Sequence, residues 1–193
     1  MLRRLAQNES GVAMVEFAIV LPVLITLFVG SYVLSDMISC YRKVTATTRA
    51  LTDLASRSIS PTSAPATTTV TTYMSSAQLV MSPFDTSKAA VQIAQLRVCD
   101  TSHAYVVWSQ AQTGSTTATP TLTAGSVVSV PAGVISSPMV PTTSNACATG
   151  VAGTAGAYLF YGQAAYTYTP VITYLQNMGS TMADQIYMSP RLN

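Results

Sequence analysis

Residues 17–35 read FAIVLPVLITLFVGSYVLS, an uncharged run bounded by Glu16 on one side and Asp36 on the other. As a helix rising ~1.5 Å per residue, a run of this length spans about the ~30 Å of bilayer hydrocarbon. A cleaved secretory signal is the rival reading, because Arg3 and Arg4 form a basic start. The apolar run exceeds the roughly 7–15 residues of a signal core, however, and no A-x-A site follows it. The residues around the arginine pair, MLRRLAQNES, also lack the rest of a twin-arginine export signal. A membrane-spanning helix is therefore expected. Its orientation is not decided by charge counting, since Arg42, Lys43 and Arg49 after the span balance Arg3 and Arg4 before it. A short N-terminal tail facing a cysteine-bearing, Ser/Thr-rich region favours the N-terminus inside.

Helical spacing continues past the span. Ile38, Tyr41, Val44, Thr48, Leu51 and Ala55 recur at i+3 or i+4 as far as Arg57, so one face is apolar enough to pack against something. Residues 12–58 are expected to form one rod of about 70 Å. Pro22 removes a backbone hydrogen bond inside it and should bend or loosen it, either as a tolerated membrane-helix proline or as a hinge.

The whole chain of 193 residues carries 9 basic and 7 acidic side chains and one histidine, 8% charged against 49% hydrophobic. Its mean hydropathy is +0.37. The scattered basic residues form no face for a row of phosphates, which argues against nucleic acid as a partner. Few groups remain for a catalytic dyad, triad or closed metal site, and no Gly-rich phosphate loop, G-x-S-x-G or H-E-x-x-H occurs. No catalytic, cofactor-binding or metal-ligating residue is assigned. His103 near Asp100 reads as a solvent-facing turn residue.

Residues 58–72, SISPTSAPATTTVTT, have no charge and two prolines and read as an extended linker. Residues 73–81 suit a short helix with Met74, Ala77 and Met81 on one side. Strand texture follows. Residues 89–98 place Val91 and Ile93 on one face and then shift phase to Leu96 and Val98, so a bulge near Ala94 is expected. Residues 103–112 form a second strand, with Tyr105 and Val107 opposite Val106 and Trp108, and the link at 100–102 suits a hairpin. Residues 114–125 read as a Thr-rich loop and 126–130 as a third strand. Residues 158–169 form the longest strand, ended by Pro170 and lined on one face by Tyr158, Phe160, Gly162, Ala164, Tyr166 and Tyr168. Residues 171–193 are ambiguous, since Val171, Leu175, Met178 and Met182 suit a helix that Gly179 interrupts.

The fold class is thus α+β: a long N-terminal transmembrane helix continuing into the periplasm, then a small antiparallel β-rich C-terminal domain. Cys99 and Cys147 both fall in that domain and are a candidate disulfide, whose closure would stabilise by roughly 2–4 kcal/mol. Cys40 is the odd cysteine, on the helix just beyond the membrane.

Glu16 is the residue to explain: a carboxylate at the edge of an apolar run costs roughly 2.5–3.5 kcal/mol if it lies deep, and little if it snorkels or protonates at the headgroup boundary. It stands five residues after Gly11, is followed by Phe17, and is preceded by a short basic tail: RRLAQNES, then Gly11, VAMV, Glu16-Phe17 and AIVLP. This arrangement resembles the type IV prepilin cleavage signal, and the aromatic after the glutamate resembles its tight-adherence (Tad, Flp-type) branch, in particular the TadE-like pseudopilins. The resemblance implies cleavage by a membrane aspartyl peptidase between Gly11 and Val12. Glu16 becomes the fifth residue of the mature chain and can pair with the new α-amine of Val12, on its own chain or on a neighbour. It also implies assembly or recognition roles for Glu16, Phe17 and Pro22. Further stretches are similar to those of TadE-like proteins: VVW at 106–108, VPAG at 130–133, YTYTP at 166–170 and Pro190-Arg191. By that analogy residues 180–188 form a last strand. The cysteine pair and the polar loop at 109–125 depart from the pattern.

The organisation so implied is a prepilin leader at 1–11, a transmembrane and extended helix at 12–58, a linker at 59–72 and an extracytoplasmic domain at 73–193. The function implied is structural, without enzyme activity or cofactor: a minor pilin required for assembly of a bacterial tight-adherence pilus. It would sit as a single-pass protein of the inner membrane with its C-terminal domain periplasmic. Partners would be membrane lipid, the prepilin peptidase, the major pilin, a sister pseudopilin and the inner-membrane assembly platform. The alternative is an uncleaved single-span anchor displaying a periplasmic or surface adhesion or scaffold domain. A third class, a membrane-tethered enzyme, would need Asp100, His103 or another acid for turnover.

Overall fold

A computed structural model of the chain describes residues 9–60, 63–141, 147, 156–170 and 179–191. It divides into two compact units, Met1–Ser39 and Cys40–Asn193. Helix α1 (Glu9–Ser58) contributes residues to both. In the first unit the helix runs through Pro22 without a break. Its apolar side chains stay largely exposed, Met14 by 76% and Phe28 by 74%. An 18-residue window reaches a mean hydropathy of 2.4 with none of it buried. Apolar exposure of that density suits lipid or other chains and not water.

The second unit begins where α1 acquires a buried side. Cys40, Val44, Leu51 and Ala55 are fully buried, together with Thr47, Thr48, Thr52 and Ser56. Ile38 and Tyr41, expected on the packing face, are instead 46% and 50% exposed. The true face is rich in hydroxyls, which a count of apolar residues misses. Three of these satisfy their polarity within the helix: Thr48 Oγ1 donates to Val44 O (3.0 Å), Thr52 Oγ1 to Thr48 O (2.7 Å) and Ser56 Oγ to Asp53 O (2.9 Å).

Helix α2 (Thr67–Gln78) continues into a 3₁₀ turn at Leu79–Met81. It starts six residues before the expected Tyr73, inside the stretch read as linker. Thr71 and Thr72 both donate their hydroxyls to Thr68 O, and Val70, Met74, Ala77 and Gln78 are buried. Tertiary burial here outweighs the low helix propensity of threonine.

The strands are β1 (Ala89–Val98), β2 (His103–Thr113), β3 (Thr116–Ala118), β4 (Val127–Ser129), β5 (Tyr158–Tyr168) and β6 (Ser180–Met188). They form one antiparallel sheet in the order β3-β2-β1-β5-β6, with β4 also paired to β2. β3 lies in the expected Thr-rich loop. Gly114, at φ +56°, supplies the turn from β2 into it. β6 occupies 180–188 as the family resemblance implied, so Met182 belongs to a strand. Val171, Leu175 and Met178 lie outside the described residues.

β1 does not change phase. Its pairing with β5 runs unbroken from Ala89↔Tyr166 to Arg97↔Tyr158. The irregularity is on β2, where Gln95 pairs with Trp108 and Leu96 with Val106, leaving Val107 as the extra residue. The mixed pattern of β1 arises because both faces of the sheet are covered, which fills inward and outward positions alike with apolar residues. One consequence is that Val106 and Trp108 do not share a face. Val106 joins a core cluster with Ala94, Leu96, Leu159, Tyr161, Val130 and Ile135. Trp108 packs on Phe160 and donates its indole N–H to buried Gln95. The face carrying Trp108, Phe160 and Gly162 is covered by α1 from Cys40 onward and by α2. Ser75 of α2 accepts from Gln112 Nε2 at 3.2 Å, and Gln78 Nε2 donates to Ala89 O at 3.0 Å.

Candidate functional site

Gly11, Val12, Glu16, Phe17 and Pro22 all lie on α1. Gly11 and Glu16 are exposed, and Phe17 is 61% exposed. Four residues separate Val12 from Glu16, about one helical turn, so the two positions stack on one side of the helix. A carboxylate at Glu16 is therefore within a turn of any amine generated at Val12. A Cβ added at Gly11 would meet nothing within 4 Å, so the glycine is not required by packing.

Pro22 has no amide hydrogen, and the carbonyl one turn before it loses its helical partner. Polar side chains nearby are bonded within the helix. Thr26 Oγ1 donates to Pro22 O at 2.8 Å, and Ser31 Oγ donates to Phe28 O at 2.8 Å.

Within the second unit, Cys99 and Cys147 are joined as a disulfide with Cα atoms 5.3 Å apart. Cys99 is flanked by buried Tyr105, with Val107 packed against both. The adjoining turn is held by Asp100. Its carboxylate accepts from Ser102 N and His103 N (both 2.7 Å), from Ser102 Oγ (3.1 Å) and from His103 Nδ1 (2.9 Å). The backbone bond from Ser102 leads the effects that hold Asp100 down to a pKa of about 2. Its job is to close the β1–β2 hairpin. Among the described residues no group of three His, Cys, Asp or Glu side chains is placed to hold a metal ion.

Sequence reasoning assigned no role to the residues that join the C-terminal end to α1. Arg191 N donates to Ser56 O at 2.8 Å, and Arg191 Nη1 lies 3.3 Å from Asp53 Oδ1, whose other oxygen is 3.0 Å from Arg57 Nε. The only hint in the sequence was the Pro190-Arg191 pair.

The segment that carries Gly11, Glu16 and Pro22 is also the segment recognised by comparison with known proteins. Residues 11–51 match the family model described as TadE-like protein. The match begins at Gly11 and runs through the apolar span to Leu51, on the buried face of α1. Neither a curated protein nor a solved structure matches the chain. The TadE-like segment is therefore a helix whose first part is exposed and apolar and whose last turns belong to the packed second unit.

Proposed function

We propose that this protein is a TadE-like pseudopilin, a minor pilin that serves assembly of a tight-adherence pilus and catalyses no reaction. The observation that carries the reading is the TadE-like match over residues 11–51, which contains Gly11, Glu16 and the exposed apolar part of α1 in one helix. The precursor is a single-pass inner-membrane protein with its N-terminus in the cytoplasm and the β-rich domain in the periplasm. A prepilin peptidase cuts after Gly11. The new ammonium group of Val12 then has Glu16 one helical turn away, close enough for the two groups to pair. In a bundle of such helices the same carboxylate can take the amine of a neighbour instead, which sets the axial register of subunits. Phe17 supports recognition of the cleavage site, and Pro22 gives the helix freedom to adjust. The partners are the peptidase, the major pilin, a sister pseudopilin, the assembly platform and membrane lipid.

The test is the N-terminus and intact mass of the membrane-extracted protein, from cells with an active prepilin peptidase, for wild type and Gly11→Ala. A mature chain starting at Val12, lost in the variant, is expected. Packing around Gly11 leaves room for the added methyl, so loss of cleavage reports recognition and not misfolding. An intact N-terminus retaining Arg3 and Arg4 would overturn the reading in favour of an uncleaved anchor for an adhesion or scaffold domain.

A further inference from the structure

The two ends of the sheet in the second unit carry their charges and exposed apolar groups differently. Thr52 of α1 lies against Gly162, and Thr48 Oγ1 reaches O of Asp184, which pairs with Ala164. Ser56 O accepts from Arg191 N, beyond the pair Met188↔Phe160. The helix therefore runs antiparallel to β5, one turn of ~5.4 Å for about two strand residues of ~6.6 Å. Stepped back from Thr52 in this way, Cys40 falls at the level of Tyr168. The same end of the sheet holds Lys88, whose Nζ donates to Thr169 Oγ1 at 3.5 Å. It also holds Leu79: Gln78 Nε2 and Gly114 N both donate to Ala89 O at 3.0 Å, and Leu79 lines a recess of about 270 Å³ with Ser87 and Gly114.

The large apolar side chains exposed in the second unit are Tyr41 (50%), Leu79 (70%) and Val127 (45%), and the first two belong to this end. Arg42 and Lys88, both exposed, and half-buried Lys43 belong to it as well. Among the described residues none of these three cations is in an ion pair. Two acids stand against them, Asp36 on α1 and Asp85, whose Oδ1 is taken up by Ser87 N (3.0 Å) and Ser87 Oγ (2.7 Å). At the opposite end the cations are matched: Arg57 and Arg191 share Asp53, Asp100 holds His103, and Arg97 lies over the Tyr158 ring at 4.8 Å.

We propose that the Cys40 end of the second unit rests on the membrane surface. Arg42, Lys43 and Lys88 contact the phosphates of anionic phospholipid, and Tyr41 and Leu79 enter the headgroup layer. Long basic side chains, tyrosine and an exposed aliphatic group together suit a boundary that is anionic and wet above and apolar below. The occupant follows from the chain itself. Cys40 is five residues past Ser35, the last of the apolar run. That distance is about 7.5 Å as helix and at most about 18 Å fully extended, whatever the tilt of the helix. The headgroup layer reaches roughly 5–8 Å beyond the hydrocarbon. This inference rests on the reading of α1 as a membrane-spanning helix, and needs neither cleavage nor a pilus.

The full chain would be reconstituted into vesicles of phosphatidylethanolamine with phosphatidylglycerol, and into vesicles of phosphatidylcholine alone. Tryptophan reporters are placed one at a time by Ile25→Trp in the span, Leu79→Trp at the near end and Val127→Trp at the far end. All three positions are exposed, so the fold is kept, and the wild-type emission of buried Trp108 is subtracted. Quenchers are lipid brominated on its acyl chains and lipid carrying a nitroxide on its headgroup. Acyl bromine is expected to quench Ile25→Trp, and headgroup nitroxide to quench Leu79→Trp but not Val127→Trp. Quenching at Leu79→Trp should be stronger with phosphatidylglycerol, and should fall roughly twofold or more when Arg42→Gln and Lys88→Gln are added but not with Arg49→Gln. Quenching at Leu79→Trp no greater than at Val127→Trp, with Ile25→Trp quenched, overturns the proposal and leaves the spanning helix standing. Quenching indifferent to phosphatidylglycerol and to the charge variants overturns it too. A blue-shifted Leu79→Trp emission without quenching marks contact with another protein chain and does the same. An unquenched Ile25→Trp removes the spanning helix and this inference with it.

Discussion

Thr52 of α1 stands directly over Gly162 of β5, so that a Cβ built on the glycine would overlap Thr52 Oγ1 and lie 3.1 Å from Thr52 Cβ. Helix and sheet meet here backbone against side chain, with Thr48 Oγ1 reaching Asp184 O at 3.4 Å on the next strand. Gly162 is a packing glycine: it sits mid-strand, and its missing side chain is what lets the helix approach.

Gly162→Ala should therefore destabilise the protein by about 1–3 kcal/mol through overpacking. Thr52 cannot swing aside freely, because it is β-branched and its hydroxyl is bonded to Thr48 O. The single tryptophan, Trp108, packs on Phe160 two residues away and gives a fluorescence signal for denaturant unfolding. Adding Thr52→Ala to the variant should recover part of the loss. A Gly162→Ala protein as stable as wild type would show that the contact is not a tight one.

The Cys99–Cys147 bond closes a separation of 48 residues. Constraining a loop of that size in the unfolded chain contributes roughly 2–4 kcal/mol. Cys147→Ser should lower the denaturant midpoint by a corresponding amount. A non-reducing digest of protein exported under oxidising conditions should yield the Cys99 and Cys147 peptides linked. Separate peptides, or a midpoint insensitive to both mutation and reductant, would remove the bond from the account of stability.

Asp100 contributes a pH-dependent part of the stability of the β1–β2 turn. Its folded pKa of about 2 is below the value of ~3.9 for a free side chain, so the contribution is present above pH ~4. It is lost as pH falls from about 4 through about 2, where the carboxylate takes up its proton and gives up the bonds to Ser102 and His103. Denaturant midpoints across that interval should fall in wild type, and Asp100→Asn should lack this component of the slope. Parallel slopes in the two proteins would count against the role of the carboxylate.

The apolar run was legible at once, because the length and apolarity that let a helix cross a membrane are properties of a local stretch of chain. Most strand positions were legible for a similar reason, since β1, β2 and β5 are written as dense β-branched and aromatic segments. Residues 180–188 were less so. Their composition is mild, and only the resemblance of the C-terminal stretches to TadE-like proteins placed a strand there.

What the chain determines locally is thus the long apolar helix and the positions of most strands, since these depend on properties of neighbouring residues. Tertiary structure alone decided the rest. Burial turned Thr67 to Thr72 into helix despite poor propensity. Cover on both sheet faces removed the alternation from β1, and the register with β1 left Val107 of β2 as the extra residue. Pairing of β1, β5 and β6 aligned Gln92, Gln163 and Gln185, residues far apart in sequence that become neighbours only once register is set by the whole sheet. The packing face of α1 was hidden for the same reason: threonine and serine count as polar until a glycine on the opposing strand brings the two backbones close enough to bury them.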